Sequence, residues 1–283
     1  MDLKIWSMKV QYNGEHTSWN IGPHFYFFDG NADTGHHPVP LFSSPHVNIL
    51  EKGEATRAYA RIDTLLRLVN GLSLITRGLP IYSLKEFFYQ ENQIIKEIPK
   101  RRDPSIFLEE LGNPFDDTVI EEMENQKFVH GITASTDYAE LIVKDELVRE
   151  VVYLLSLSME EELYLLMNAY KILEIIRNDM GFEQKNGEGK LRENEISKEY
   201  SFTSVFELQK LSGYMNNKGA SGIFCRHGFS SRDKKIKAPS YDEIVDIIII
   251  AISEWMSYKS HVKFGRRYNP SKGILDFYKR NNS

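Results

Sequence analysis

The spacing of hydrophobic residues changes along this chain, and that change is the strongest constraint on its fold. Residues 6–12 (WSMKVQY) alternate between apolar and polar, the period of a β-strand with one buried face. The Asn13-Gly14 pair that follows predicts a turn. Aromatic or aliphatic runs at 24–28, 39–42 and 46–50 predict three more short strands. Short strands joined by turns are typical of a small antiparallel sheet.

A helical period replaces this alternation after the first fifty residues. Apolar side chains recur at steps of three and four from Glu54 to Thr76, which predicts one long helix packed on a face of the sheet. Gly78 predicts its end, and Asp103-Pro104 predicts the start of a short helix. The segment Glu109–Glu124 holds seven acidic residues and no basic one. We therefore expect an exposed connection there.

The second half of the chain is predicted to be mainly helical. An apolar stripe over 147–155 indicates one helix. Ser158 and Glu161 have the spacing of a capping box and predict the start of a second helix. This helix is apolar nearly all round, so we expect it to be buried, and Gly181 predicts its end.

Two further predictions complete the fold. The polar segment Lys185–Lys198 predicts a loop, and Ser240 predicts the cap of a last helix that runs to about Tyr258. The fold class is therefore α+β. Residues 1–132 form a β-rich N-terminal domain with one long helix and the acidic connection. Residues 133–283 form a mainly α-helical bundle with a basic C-terminal tail.

Composition limits the classes of protein to which the chain can belong. Aromatic residues make up 12% of the chain, which excludes an intrinsically disordered protein. The single cysteine, Cys225, excludes a disulfide framework and a cysteine-rich zinc site. The first ten residues lack the pattern of a signal peptide, and the longest apolar stretch, 247–252, is far below the roughly 20 residues that span a bilayer. We therefore expect a cytoplasmic protein that does not cross a membrane.

The net charge of −5 hides a strong asymmetry. Residues 226–283 carry 12 Lys and Arg against 6 Asp and Glu, whereas residues 1–225 carry 23 against 34. A basic tail on an acidic body favours an anionic partner for the tail, such as nucleic acid. The alternative is a solvated basic surface, or a tail that docks on the acidic half of its own chain.

The segment Arg226-His227-Gly228 is the first candidate site. Arginine holds a phosphate and histidine transfers protons, so the pair suits phosphate chemistry. Four basic residues follow closely and would bind a nucleic-acid backbone: Arg232, Lys234, Lys235 and Lys237. The same tripeptide occurs in histidine phosphatases, but there it precedes most of the fold, and here only 55 residues follow Gly228. The structural alternative is a helix end at which Gly228 forms the cap.

Charged residues within the apolar helix that ends at Gly181 form the second candidate site. Glu174 and Arg177 are three residues apart and occupy neighbouring positions on one helix face. A charged pair in an apolar helix demands a partner, so Glu174 is predicted to orient Arg226 or His227. The alternative is an ion pair within the helix. The chain has no phosphate-binding glycine loop and no zinc-ligand spacing, so no cofactor and no metal are predicted.

Four segments carry a resemblance to a known family. The stretch VNILEKGEATRAYARIDTLLRLVNGLSLI resembles the strand and helix that precede the helical module in ApeA-like HEPN proteins. The segments NAYKILEIIRNDMG, GIFCRHG and PSYDEIVDIIIIAISEWM resemble a HEPN helical bundle and a set of bacterial proteins with an Arg-His-Gly segment. The resemblance covers Val47–Thr76 and Val148–Trp255.

The resemblance implies a metal-independent ribonuclease of a bacterial defence or toxin system, and a homodimer. Family members carry an arginine and a histidine four to six residues apart on one helix. This chain departs from that pattern, because Arg226 and His227 are adjacent and would diverge by about 100° on a helix.

Two hypotheses about function follow. In the first, the chain binds or cleaves RNA, with His227 as general acid or base, Arg226 as the stabiliser of phosphate charge, and Glu174 as a positioning residue. Arg177 joins the four basic residues after Gly228 in binding RNA. In the second, the chain is a non-catalytic interaction or sensor module. It presents aromatic residues of its sheet, such as Trp6 and 25–28, to a partner and dimerises through its helical domain.

Overall fold

The computed structural model describes residues 5–12, 19–30, 39–91, 94–99, 101–125, 131–160, 164–184, 187–200, 211–215, 217, 221–222 and 239–269. The chain forms two compact units. The first comprises Met1–Ser73 and Leu79–Val143, and the second comprises Leu74–Gly78 and Lys144–Ser283. We call them the sheet unit and the helical unit, and each is described by itself.

A five-stranded antiparallel sheet is the framework of the sheet unit. Its strands are β1 (Ile5–Tyr12), β2 (Tyr26–Gly30), β3 (Val39–Ser43), β4 (Ile81–Glu91) and β5 (Ile94–Glu97), in the order β2-β3-β1-β4-β5. The first three strands confirm the sequence prediction, and β4 and β5 add two that the sequence analysis does not predict. With the helices below, the chain is a mixed α+β protein, as predicted.

The core of the sheet unit lies between the sheet and α2 (Ala55–Arg77), the predicted long helix. Trp6 of β1 stacks on Phe87 of β4 at a centroid distance of 5.1 Å, and both are fully buried. Tyr59 of α2 contacts the edge of the Phe87 ring at 5.4 Å. Asn70 Oδ1 accepts a hydrogen bond of 2.7 Å from the Ile81 N–H, which connects α2 directly to the start of β4.

Two predictions for the sheet unit are wrong. Residues 46–50 are not a strand: Pro45–Asn48 forms the short helix α1, because the Ser44 side chain caps it and Pro45 occupies its first turn. The acidic segment is not an exposed connection. It contains the end of α3 (Pro104–Gly112) and most of α4 (Asp117–Asn125), and the side chain of Glu110 is only 1% exposed.

The remaining helix of the sheet unit, α5 (Ala134–Lys144), lies at its boundary. The compact units divide between Val143 and Lys144, so α5 belongs almost wholly to the sheet unit. The boundary predicted from the sequence lies between residues 132 and 133, which places the residues of α5 in the helical part.

The helical unit contains α6 (Glu146–Glu160), α7 (Leu165–Asp179), α8 (Glu188–Ile196), α9 (Leu211–Met215) and α10 (Tyr241–Phe264). Helices α6 and α7 pack against each other, α10 packs against both, and α9 packs against α7. Among the residues that the structure describes, no helix is long and apolar enough to cross a membrane.

Of three sequence predictions for this unit, one is confirmed and two are wrong. The Ser240 capping box is confirmed, with Ser240 Oγ accepting from the Glu243 N–H and Glu243 Oε2 accepting from the Ser240 N–H. The cap at Ser158 is wrong, because Ser158 lies inside α6 and donates its hydroxyl to the Leu154 carbonyl. The loop over 185–198 is also wrong, because it contains α8.

An irregularity in β4 interrupts the pairing of the sheet. Met8 pairs with Phe87 and Val10 pairs with Ser83, so one residue of β1 faces three of β4. Lys85, at the centre of these three, has a φ of +59°, the only positive φ of a non-glycine residue in the described chain. A side chain in this left-handed conformation costs roughly 1–2 kcal/mol. The irregularity therefore stores strain at an exposed position.

Replacing Lys85 with glycine should raise the free energy of unfolding by about 1 kcal/mol, because glycine adopts a positive φ without the clash of Cβ. Urea unfolding of the two proteins measures the difference. Lys96→Gly, at an exposed position of β5 with ordinary strand geometry, is the matched control and should destabilise by roughly 0.5–1 kcal/mol. Equal destabilisation by both substitutions would contradict the assignment of strain to Lys85.

Candidate functional site

Most of the residues predicted to form the site lie outside the described part of the chain. They are Arg226, His227, Arg232, Lys234, Lys235 and Lys237. Glu174 and Arg177 are described, and both lie on α7. The predicted convergence of Glu174 with Arg226 and His227 therefore stays a prediction.

Helix α7 has one exposed face, so the expectation that it is buried nearly all round is wrong. The positions on this face recur at steps of three and four, and they are Tyr164, Met167, Lys171, Glu174 and Asn178. Leu166, Ile172 and Ile176 lie on the opposite side and are buried. Glu174 is thus accessible to solvent and to a ligand, as a positioning residue at a surface site must be.

Arg177 is held by acidic residues that follow α7 in the chain. Its Nε donates to Glu183 Oε1 at 2.7 Å, and its Nη1 donates to Glu193 Oε1 of α8 at 3.0 Å. Helix α8 can approach this closely because Gly189 lies against the Phe182 carbonyl, where any Cβ would clash with backbone atoms. Arg177 would bind an RNA phosphate only by exchanging these two carboxylates for it.

A lysine between two aspartates connects the helices of the bundle. Lys259 Nζ of α10 lies 2.9 Å from both carboxylate oxygens of Asp179, at the end of α7, and 2.8 Å from Asp145 Oδ2, just before α6. Trp255 Nε1 also donates to Asp179 Oδ2 at 2.9 Å. A carboxylate at a helix C-terminus is disfavoured by the helix dipole, so Lys259 stabilises the position of Asp179 as well as the helix packing.

The C-terminal end of α10 carries a concentration of basic and aromatic side chains. We call this region the α10 tip: His261, Lys263, Phe264, Arg266, Arg267 and Tyr268, together with Tyr200, which His261 and Arg267 contact. His261 Nδ1 lies 3.2 Å from the Tyr200 hydroxyl, and the Arg267 guanidinium lies 4.3 Å above the Tyr200 ring. The basic charge of this region is evident in the sequence, but its association with aromatic rings is not.

A buried pair of histidines is the densest titratable cluster of the sheet unit. His24 is 3% exposed and His46 is fully buried. His24 Nδ1 lies 2.9 Å from His46 Nε2, and the two rings stack at a centroid distance of 5.1 Å. Both histidines are predicted to lie in strands, and no sequence signal marks them as neighbours, because 22 residues separate them.

The hydrogen bonds determine which ring nitrogen of neutral His46 carries the proton. The Asp116 N–H donates to His46 Nδ1 at 3.0 Å, so that nitrogen carries no proton. In neutral His46 the proton therefore lies on Nε2, which donates to His24 Nδ1. Burial, His24 and Arg61 together lower the pKa of His46 to about 3, with Asp116 opposing them weakly. Neutral His46 thus accepts from the Asp116 N–H on one side of its ring and donates to His24 on the other.

Two arginines and two glutamates lie beside the histidine pair. Arg61 donates from Nη1 to the His46 carbonyl at 2.9 Å and from Nε and Nη2 to the buried Glu110. Arg57 donates to Glu110 at 2.6 Å and to both carboxylate oxygens of Glu109. These bonds, those to Glu109 first, raise the pKa of Arg57 above its ordinary value. Each charge in the cluster has an opposite partner, which makes it a structural network.

Metal ligation has no candidate in the described ranges, where no group of three or more His, Cys, Asp or Glu residues converges. His24 and His46 provide two imidazoles, and their facing nitrogens are at hydrogen-bond distance.

In comparisons with known proteins, no family model, curated protein or solved structure matches this chain. The likeness to HEPN proteins therefore depends on the residues quoted in the sequence analysis.

The histidine pair predicts a specific dependence of stability on pH. His46 has a pKa of about 3 in the folded chain and about 6.5 when unfolded, so below pH 6.5 the unfolded chain binds more protons. Above pH 6.5 His46 is neutral in both states, and it does not lower the free energy of unfolding. Below pH 6.5 the free energy of unfolding falls as the pH decreases towards 3. At pH 5 the loss should be about 2 kcal/mol.

His46→Asn removes this titration and keeps an acceptor oxygen near the Asp116 N–H. Between pH 7.5 and pH 5 the free energy of unfolding should fall in both proteins. We expect the fall to be smaller in the variant than in the wild type, and the difference between the two to be about 2 kcal/mol. Urea unfolding at both pH values measures the two slopes. The same pH dependence in both proteins would contradict the assignment to His46.

Proposed function

We propose that the chain is a HEPN-like RNA-binding protein that cleaves RNA without a metal ion, with Arg226 and His227 as its catalytic residues. The observation that supports this is the packing of the helical unit, in which α6 and α7 lie together and α10 contacts both. Such a bundle is the architecture that the resemblance implies. The Arg226-His227 pair lies in the chain between α9 and α10, close in sequence to two of its helices.

The proposed reaction is transfer of a phosphodiester to the neighbouring ribose hydroxyl. His227 accepts the proton of the 2′-OH, whose oxygen then bonds to the adjacent phosphorus as the bond to the 5′-oxygen breaks. The leaving 5′-oxygen takes a proton from water, and the other product carries a 2′,3′-cyclic phosphate. Arg226 stabilises the extra charge on the phosphate oxygens, and the four basic residues after Gly228 bind flanking phosphates.

Glu174 is proposed as a positioning residue that orients Arg226 or His227. Glu174 is exposed on α7, so burial does not demand a partner there, and the role depends on the approach of Arg226 or His227 to this helix face. Arg177 is the weaker member of the proposed RNA-binding set, because Glu183 and Glu193 already bind its guanidinium. The cellular role implied by the resemblance is that of an effector of a bacterial defence or toxin-type system in the cytoplasm.

Cleavage of single-stranded RNA by the purified chain in EDTA tests this proposal. We expect cleavage, and we expect His227→Ala to lower its rate by about 100-fold or more, since general acid–base catalysis contributes at least that factor. His130→Ala, a histidine without a proposed role, is the matched control and should cleave like the wild type. Equal background cleavage by wild type and His227→Ala would overturn the proposed activity.

The exposed face of α7 favours a second candidate function, a non-catalytic module that dimerises through its helical unit. Tyr164 is 49% exposed and Met167 is 46% exposed, although both are large and apolar. Adjacent exposed apolar side chains on one helix face are typical of an interaction surface. The aromatic residues of the sheet support a partner surface less well. Trp6 and Phe25 are buried, and residues 26–28 are half-buried.

Light scattering coupled to size exclusion tests the dimer. If a second copy covers this face, the wild type is a dimer and Met167→Glu is a monomer, because a carboxylate at a dimer interface is desolvated without a partner. Leu191→Glu, at a 67% exposed position of α8, is the control and should remain dimeric. A monomeric wild type, or a dimeric Met167→Glu, would exclude this interface.

A further inference from the structure

A short basic segment contains the edge strand β5 and the residues that follow it in the sheet unit. Residues 96–102 (KEIPKRR) hold four lysines and arginines against one glutamate, whereas residues 1–225 carry 23 basic residues against 34 acidic ones. Lys96 lies on β5, and Arg101 and Arg102 directly precede Asp103, the N-cap of α3. We call Lys96, Arg101 and Arg102 the β5 patch. It is a local concentration of positive charge in an acidic part of the chain.

Hydrogen bonds fix the chain on both sides of the two arginines. The Ile98 N–H donates to the Phe87 carbonyl of β4 at 2.8 Å, directly after β5 ends. Pro99 has no N–H and cannot continue this pairing. On the other side, Asp103 Oδ1 accepts from the Ser105 N–H at 2.9 Å and caps α3. The patch is therefore attached to a strand at one end and to a helix at the other.

The charges of the β5 patch are available to an anion. All three residues are exposed, and within the described part of the chain their side chains have no hydrogen bond, ion pair or ring contact. Two carboxylates adjoin the patch in sequence. Glu97 follows Lys96 in a strand, where successive side chains point to opposite faces. The Ser105 hydroxyl, with the N–H groups of Ser105 and Ile106, binds the carboxylate of Asp103 and lowers its pKa.

Arginines elsewhere in this protein are bound by carboxylates. Arg57 and Arg61 donate to the buried Glu110, and Arg177 donates to two glutamates. Those arginines contribute to the fold through their partners. The cations of the β5 patch have no such partner among the described residues, so the fold does not account for their charge. Exposed basic charge of this kind raises the local concentration of an anionic ligand.

The arrangement of the patch favours a chain of phosphates over a single small anion. Lys96 lies in an extended strand, and Pro99 restricts Ile98 to extended conformations, so the lysine and the two arginines are spaced along the chain. Arginine binds a phosphate through two parallel hydrogen bonds, and lysine binds it as a point charge. Tyr89, the cross-strand partner of Lys96, is only 2% exposed. Its ring therefore offers no face on which a base could stack.

We propose that the β5 patch binds the sugar-phosphate backbone of RNA, with Lys96, Arg101 and Arg102 each contacting a phosphate and none contacting a base. This inference rests on the proposed function and adds to it a contact region in the sheet unit. Phosphate contacts fix the position of a nucleic acid but carry no sequence information. We therefore expect the patch to contribute equally to the binding of RNA of any base composition.

Fluorescence anisotropy with labelled 2′-O-methyl RNA single strands tests the inference on the full chain. This probe keeps phosphates and bases but has no 2′-OH to react, so binding is measured apart from cleavage. We expect the double variant Arg101→Gln, Arg102→Gln to raise the Kd on the order of tenfold. It should also lower the slope of log Kd against log salt by about 1.4, since each phosphate contact on a single strand contributes about 0.7. Both effects should be the same for oligo(A) and oligo(U).

The matched control is the double variant Lys190→Gln, Lys198→Gln, which removes the same charge from exposed positions of the helical unit. It should change the Kd less than about twofold, as expected for charges that do not contact the RNA and are screened by salt. A second variant, Arg101→Lys with Arg102→Lys, keeps both charges and should keep the salt slope of the wild type. A slope as low as that of the glutamine variant would contradict the assignment to charge.

The outcomes distinguish this inference from the proposed function. If the wild type neither binds nor cleaves RNA, both fail. If it binds RNA and the glutamine variant binds equally well, or the control loses as much, only the inference is overturned. If binding depends on the patch but no RNA is cleaved in EDTA, the inference holds and the proposed catalysis fails. If the patch is needed to bind phosphatidylserine vesicles and not to bind RNA, RNA is not its ligand.

Discussion

The buried carboxylate of Glu110 is the constraint on which the helical layer of the sheet unit depends. A single carboxylate out of water costs several kcal/mol, and here Arg57 and Arg61 of α2 offset that cost through three hydrogen bonds. Arg61 also donates to the His46 carbonyl, so one guanidinium joins α1, α2 and α3. The two arginines lie one helical turn apart on α2, and this spacing determines where α3 can lie.

The helical unit also places a charged side chain between two side chains of the opposite charge, but with the signs reversed. Lys259 is one cation between two carboxylates, whereas Glu110 is one carboxylate between two guanidinium groups. In both groups the central residue is the most buried of the three, with side-chain exposures of 14% for Lys259 and 1% for Glu110. Removing it would leave two like charges close together, although Arg57 would still bind Glu109. The outer residues are partly hydrated and more replaceable.

The sequence predicts those parts of the fold that depend on periodicity. The alternation over 6–12 and the long stripe of α2 are each repeated often enough to be unambiguous. The fold departs from prediction where a local pattern is short. Residues 46–50 are too few to separate strand from helix, and a serine three residues before a glutamate also occurs inside a helix, as at Ser158. The histidine pair and the burial of Glu110 depend on distant contacts, which no local pattern contains.

The irregularity at Lys85 affects which face of the sheet the side chains of β4 occupy. Between the Met8–Phe87 and Val10–Ser83 pairs, β4 has two residues more than β1. Side chains of a strand alternate between faces, so an extra pair leaves Ile81, Phe87 and Tyr89 all directed to the core, as their burial shows. The distortion at Lys85 therefore stays local, and the parts of β4 before and after it contribute to one continuous core face.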